Sequence, residues 1–208
     1  VNGAPLLIFP CNGNALEALD CLGEAFELIG FVDDSPGLQG TRRYCFPVLS
    51  RAAFAEHPTA RVLAVPGSPT SYVHRRTIIE GLGIDADRFA TVVHPRASVS
   101  PLARIGRNVL LMAGVVVTSN AVIGDHVIVL PNTVVHHDVV IGDWTLVGSN
   151  VSIAGSVRVG ENAYIGSGTR IINGVSIGDR ALIGLGSTVI RDVPAGARVA
   201  GSPARQLA

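Results

Sequence analysis

From Val93 to Val189 an aliphatic residue returns at every sixth position without a miss, beginning Val93, Val99, Ile105, Leu111, Val117 and Ile123. Four residues after each stands a small or β-branched residue, from Ala97 and Ala103 through Thr133 and Thr145 to Val193. Glycine often follows the aliphatic position, as in Ile123-Gly124, Ile141-Gly142 and Ile165-Gly166. Neither an α-helix nor a flat sheet needs period six, and seventeen such hexads in phase predict a parallel β-helix. The aliphatic side chain points into a narrow prism and the small residue fits beside it. Glycine is expected to take up the backbone angles of the corner. Three hexads close one triangular coil of eighteen residues. Coils stacked at strand spacing, about 4.8 Å apart, give a prism of roughly six coils and 27 Å. No single coil buries its own interior; stacking does.

The first 92 residues follow a different pattern. Leu6-Leu7-Ile8-Phe9 is a short apolar run that fits a buried strand. It breaks at Pro10-Cys11-Asn12-Gly13-Asn14, and the apolar spacing of Leu16, Leu19, Leu22 and Phe26 predicts a helix over 15–27. Leu28 to Val32 reads as a second strand and Arg61 to Val65 as a third, with a second helix over 72–82. Strand–helix–strand alternation implies a small, mostly parallel, Rossmann-like α/β sheet. The expected organisation is an α/β domain over 1–92 and the β-helix with a short tail over 93–208.

Composition sharpens this picture. Apolar residues make up 48% of the chain but aromatics only 5%, and 24 glycines punctuate it, which suits a narrow repetitive β architecture. Sixteen basic residues, all Arg, balance sixteen acidic ones, so neither a nucleic acid nor an anionic membrane is the expected partner. No apolar run reaches the length of a membrane-spanning helix, and residues 1–9 lack the basic start of a signal peptide. Cys11, Cys21 and Cys45 are odd in number and lack metal-type spacing; they are expected as reduced thiols in the cytoplasm, with no metal.

A prism packed with aliphatics has no internal pocket, so chemistry belongs on its corners and between subunits. Residues eighteen apart stack in columns, and one column reads Ser119, His137, Gly155, Asn173, Arg191. It offers a base, a glycine amide, a polar residue and a cation, with His137 and Arg191 roughly 14 Å apart at strand spacing. That is about the reach of a pantetheine arm. His137 is then expected to take the proton of an amine or hydroxyl that attacks a thioester, Gly155 to offer its amide to the oxyanion, and Asp138 to orient the ring. Arg191 would meet the coenzyme's phosphates or simply be a solvated cation. His136, His94, His126, His57 and His74 read as surface or inter-domain residues. Trp144 either lines an acceptor cleft or packs in a trimer or domain interface. In the N-terminal half, Cys11, Asn12, Gly13 and Asn14 join a strand to a helix start, a turn that can hold a phosphate. Asp33 and Asp34 end the next strand, where a carboxylate either meets a ribose or base or forms the turn before Ser35-Pro36-Gly37.

Five segments carry a family resemblance: Pro10 to Ala15, Gly30 to Asp34, His94 to Ala97, Val135 to Asp138 and Ala200 to Ala204. With the hexads and the two-domain order, they resemble the sugar O-acyltransferases, a family of sialic acid O-acetyltransferases and bacillosamine-pathway N-acetyltransferases. The resemblance spans nearly the whole chain. It implies a left-handed β-helix homotrimer with acetyl-CoA in the cleft between neighbouring prisms. It implies His137 as base with Asp138 beside it, and backbone contacts to acetyl and pantetheine at Gly155, Ser167 and Leu185. Asn173 and Arg191 complete the expected coenzyme side. The N-terminal domain is implied to hold a nucleotide-linked amino sugar through Cys11, Asn12, Gly13, Asn14, Asp33 and Asp34. The first turn departs from the family, with Pro10 and Asn12 where glycines are usual and Asn14 where a histidine is usual. The expected activity is acetyl transfer to a sugar amine. O-acetylation of a sugar, or a scaffold without catalysis, are its rivals.

Overall fold

Leu6, Leu7 and Ile8 are fully buried, because their strand has both faces covered. In the computed structural model, which describes residues 3–207, this strand, β1 (Ala4–Phe9), lies between β2 (Phe26–Val32) and β5 (Arg61–Ala64). Both neighbours run parallel to it. Beyond β2 a hairpin of β3 (Arg42–Arg43) and β4 (Phe46–Leu49) completes a five-stranded sheet. Leu6 and Ile8 face the cluster that reaches the prism, and Leu7 and Phe9 face the opposite cluster with Phe54 and Ile79.

The helix expected over 15–27 is shorter. It comprises α1 (Gly13–Glu17) and a 3-10 turn over Ala18–Cys21. Gly23, at φ +54, turns the chain, and Phe26 and Glu27 are extended to pair with Ala4 and Pro5. Pairing of β2 along the length of β1 overrides the helical spacing. The helix expected over 72–82 is likewise a 3-10 turn (Tyr72–His74) followed by α3 (Arg75–Glu80), while α2 (Ala53–Glu56) and the β3–β4 hairpin were not anticipated.

From Val92 onward the chain winds into a left-handed parallel β-helix of seventeen two-residue strands, ending at Thr188–Val189. Up to Arg170 each strand pairs in parallel with the one eighteen residues later, as Val116 with Val134 and Val134 with Ser152. The aliphatic and small positions of the hexads form one continuous core. Val93 alone of the aliphatic set stands exposed, at 39%, where the prism is open at its first coil. Four hydroxyls inside the prism are satisfied locally: Thr133, Thr145 and Thr169 Oγ1 donate to the carbonyls of Gly148, Gly160 and Gly184, and Ser187 Oγ also donates to that of Gly184.

The glycines after the aliphatic positions have a reason other than corner angles. Positive φ falls two residues later, at residues such as Asn120, Asp138 and Trp144. Gly142 is needed because a Cβ there would lie 2.6 Å from the carbonyl carbon of Gly160 in the next coil. Close approach of stacked coils, rather than backbone freedom, selects glycine at that position.

The lobe sits on the face of the prism whose outward residues are Val92, Leu110, Ile128, Leu146 and Tyr164, all buried. One edge of that contact is closed by a column of left-handed corner residues eighteen apart: Asn108, His126, Trp144, Asn162 and Arg180. Asn108 Oδ1 accepts from the Ala64 amide (2.7 Å), and its Nδ2 donates to the Ala64 carbonyl (2.9 Å) and to His126 Nδ1 (3.0 Å). Asn162 Nδ2 donates to the Val73 carbonyl (2.9 Å), and the Tyr72 hydroxyl to the Arg180 carbonyl (3.0 Å). Trp144 stacks on His126 at 5.7 Å and lies under the Arg76 guanidinium at 4.6 Å, so it packs between lobe and prism.

Burial opposes protonation of His126 and holds its pKa below the ordinary 6.5. As pH falls below 6.5 the unfolded chain takes up this proton before the folded one does, so this stabilisation is present above 6.5 and drains away on acidification. Melting temperature is therefore expected to fall more steeply between pH 7 and pH 5 in the parent than in His126→Gln. Parallel profiles would remove His126 as the cause.

Candidate active site

His137 lies on the prism corner diagonally away from the lobe contact. The chain reverses there with Asp138 in the left-handed region, φ +60, a conformation that Asp tolerates. Coil stacking fixes the neighbours. The Asp138 amide donates to the Ser119 carbonyl (3.1 Å), Ser156 to His137 (2.9 Å) and Gly174 to Gly155 (3.0 Å). The expected column is therefore real, and its middle is tightly filled. A Cβ on Gly155 would lie 2.5 Å from His137 Cε1, 2.6 Å from Nε2 and 3.2 Å from Asn173 Nδ2. The imidazole thus rests on the glycine, with the Asn173 amide on its far side.

His137 Nδ1–H donates to Asp138 Oδ2 at 2.8 Å, and Asn120 Nδ2 donates to Asp138 Oδ1 at 3.1 Å. Hydrogen bonds from His137, then Asn120, hold the Asp138 carboxyl below the usual carboxylate range. An ionised Asp138 fixes the proton of the neutral ring on Nδ1 and leaves Nε2 with a free lone pair. That nitrogen is the one beside Gly155.

Backbone amides on this and a second corner are open. Among the described residues, those of Gly155, Ser167 and Leu185 donate to no protein acceptor. The third corner differs. The amides of Arg107, Asp125 and Glu161 there are capped by the carboxylates of Asp125, Asp143 and Asp179. Leu185 is 71% exposed, and Asn173 and Arg191 are exposed as well. Open amides on the first two corners are thus available to a ligand, whereas three on the third corner are capped by acids.

The lobe holds the larger cavities. One, of about 590 Å³, is lined by Phe9, Cys11, Asn12, Asp34, Arg51 and Ile78 among others. A second, of about 520 Å³, continues past Asn12 along Gly13, Asn14, Gly67 and Ser68. Asp33 is buried, and both its oxygens are taken, by the amides of Cys11 (2.9 Å) and Ser35 (2.8 Å). It therefore forms the turn and braces the first loop. Asp34 instead faces the cavity in a bidentate pair with Arg51, 2.7 and 2.8 Å. Asn12 Nδ2 and Asn14 Nδ2 both donate to the Val65 carbonyl at 3.2 Å, so these side chains fasten the first turn to the loop after β5. Gly13 remains exposed at the start of α1. Burial, then the Asp33 carboxylate, push the Cys11 thiol up. Sequence reasoning did not find Arg51, Asn120 or the loop after β5. An arginine two residues before α2 carries no local signal, but Asn120 stands eighteen residues before Asp138 and so was legible as its stacking partner.

The three cysteines are free, and among the described residues no cluster of His, Cys, Asp and Glu could hold a metal ion. Among the described residues, no helix is long and apolar enough to cross a membrane.

The bacterial transferase hexapeptide model, of six repeats, matches residues 102–136, 120–155 and 156–191. No protein of curated function matches the chain. Among solved structures, it is similar to PerB from Caulobacter crescentus, in complex with CoA and GDP-perosamine. The identity is 30% over 100% of this chain and 99% of that one, with a TM-score of 0.85. It is also similar to the acetyltransferase domain of PglB from Neisseria gonorrhoeae, 29% identical over 99% of this chain and 100% of that one (TM-score 0.84). WeeI from Acinetobacter baumannii is 28% identical, over 99% of this chain and 100% of that one, with a TM-score of 0.82.

Proposed function

We propose, from the premise that this chain belongs to the hexapeptide-repeat acetyltransferases, that it transfers acetyl from acetyl-CoA to the amine of a nucleotide-linked amino sugar. The observation that carries this reading is the His137–Gly155 contact, with an ionised Asp138 turning the free lone pair of Nε2 toward an open amide. PerB, similar over its full length, is a complex with CoA and GDP-perosamine. PglB's acetyltransferase domain is also seen with acetyl coenzyme A.

In this reading the protein is a cytoplasmic homotrimer. Acetyl-CoA lies between the Gly155–Asn173–Arg191 corner of one prism and the Ser167–Leu185 corner of the next. The nucleotide occupies the lobe cavity beside Asp34, Arg51 and the first turn, Cys11 to Asn14. The acceptor nitrogen attacks the thioester carbonyl carbon, and His137 Nε2 takes its proton. The Gly155 amide donates to the oxyanion. When the C–S bond breaks, the imidazolium returns the proton to the coenzyme's sulfur.

Acetyl-CoA turnover against UDP-, dTDP- and GDP-linked 4-amino sugars and free sugars tests this. Release of CoA with one of the nucleotide-linked amines is expected. Release with hydroxyl acceptors alone, or with none, overturns it. Light scattering is expected to give three chains.

Asp138→Asn removes the charge that fixes the ring tautomer. A fall in kcat of about 10–100-fold is expected, with melting temperature unchanged because both groups are exposed. A parent-like kcat would show that His137 needs no orienting carboxylate.

A further inference from the structure

We infer that the Asn173 side chain is a second oxyanion donor, which with the Gly155 amide holds the thioester oxygen as it takes up negative charge. This rests on the acetyl-transfer reading above and adds a catalytic role to a residue otherwise expected only along the coenzyme.

Both other corners carry side chains that cap the amide eighteen residues earlier. Asp143 Oδ1 accepts from the Asp125 amide (2.8 Å), Asp179 Oδ1 from Glu161 (2.8 Å) and Ser167 Oγ from Ser149 (3.0 Å). The same register sets Asn173 over Gly155, and there the pattern breaks. Among the described residues, the Gly155 amide donates to no acceptor. The side-chain bonds on this corner are those of Asn120 with Asp138 and of His137 with Asp138, and Asn173 has none. Its Oδ1 would have capped Gly155 as Asp179 caps Glu161. Instead Nδ2 faces the glycine, 3.2 Å from the point where a Cβ would stand. The ring explains the choice. His137 Nε2 lies 2.6 Å from that same point and bears the free lone pair, so an Oδ1 there would set acceptor against acceptor.

Three groups thus flank the space that the missing Cβ leaves: one nitrogen that accepts a proton and two that donate hydrogen bonds. Acyl transfer needs that division of labour. As the acceptor amine bonds to the thioester carbonyl carbon, its proton passes to His137 Nε2, while the C=O π pair moves onto the oxygen. The charge on that oxygen is met by Gly155 N–H and Asn173 Nδ2–H. When the pair returns to re-form C=O, the C–S bond breaks and the thiolate takes the proton from the imidazolium. The donor is also held in place beforehand. The Ile172 amide donates to the Val189 carbonyl (3.0 Å) and the Gly174 amide to the Gly155 carbonyl (3.0 Å), so the backbone on either side of Asn173 is tied to the coils above and below. Preorganisation of this kind is what makes an oxyanion donor effective.

The test is steady-state kinetics with the nucleotide amino sugar that the parent turns over, beside calorimetric binding of CoA, which has no acyl oxygen. Asn173→Ala is expected to lower kcat about 10–100-fold, somewhat less than an enclosed donor because this side chain is exposed. The KM for acetyl-CoA, the Kd of CoA, the acid limb of the pH–kcat profile and the melting temperature are expected to stay those of the parent. Asn173→Asp, which turns a carboxylate toward the developing charge, is expected to lose more than alanine does. Asn173→Gln keeps the amide on a longer stem and should regain part of the loss. A parent-like kcat in Asn173→Ala, or an aspartate variant faster than the alanine one, overturns the assignment. So does a loss that appears as weaker CoA binding with kcat kept, since that is the mark of a contact to the coenzyme's arm. A parent that releases no CoA with any acceptor brings down the acetyl-transfer reading itself, and is told apart because the failure precedes any substitution.

Discussion

His137→Ala is expected to lower kcat for acetyl transfer by about 10²–10⁴-fold while oligomeric state and melting temperature stay those of the parent. The size follows from what the ring does. Its Nε2 lies beside Gly155 with a free lone pair, and Asp138 and Asn120 hold it in the tautomer that accepts a proton. Alanine removes the base and opens space on the glycine, but it removes no core contact, since the His137 side chain is 58% exposed. The loss should therefore fall on kcat, with KM for acetyl-CoA little changed, because the proposed coenzyme contacts are Gly155, Ser167 and Leu185 rather than the ring. His137→Asn keeps a polar group but supplies no base and should fall in the same range. Steady-state kinetics with a nucleotide amino sugar measure both. A variant within threefold of the parent would mean that the acceptor loses its proton to solvent and that the ring only positions.

The β-helix could be read from the chain because each hexad position meets the same environment seventeen times. The Ile that enters the prism at 123 sits as Ile141 and Ile177 do, so period alone settles which side chains are interior. His137 and Asp138 were legible for the same reason: eighteen-residue stacking puts a glycine, an amide and a cation beneath them. The lobe was less legible. Where α1 ends depends on β2 pairing with Ala4 and Pro5, a contact across more than twenty residues that helical spacing does not see. Asp33 looked like a ligand because it ends a strand, but its two oxygens are taken by backbone amides that only the folded turn brings to it. One signal was present and unread. The outward residues of every third hexad, Leu110, Ile128, Leu146 and Tyr164, are apolar, whereas the outward Arg104 and Arg158 of another face are not. An apolar stripe on the outside of a prism marks the face that another body covers, and it would have located the lobe.

Arg75 shows what that covered face depends on. Its side chain is wholly buried, and burial pushes the guanidinium down to about 9, which leaves it charged at neutral pH. Nε donates to the Trp144 carbonyl at 2.8 Å, and the two terminal nitrogens donate to the carbonyls of Pro66 and His126. One residue of the lobe thus ties the loop after β5 to two successive coils along one corner of the prism. Arg75→Ala is expected to destabilise the protein by about 3–5 kcal/mol, because three carbonyls lose a charged donor and a cavity opens around them. Arg75→Lys keeps the charge but lacks the planar fork that reaches three acceptors, and should recover only part of the loss. Urea unfolding measures the total, and hydrogen exchange locates it: protection should drop in α3 and the Val65–Ser71 loop while the prism coils beyond Ile165 keep theirs, since their interior contacts do not involve Arg75. A loss below about 1 kcal/mol would show that the apolar stripe alone holds the lobe. In the proposed reading the same variant bears on catalysis, because the lobe there holds the nucleotide while the prism carries His137. A lobe free to shift on the Trp144 corner should then raise KM for the nucleotide sugar and leave KM for acetyl-CoA, which that reading puts between prisms, where it was.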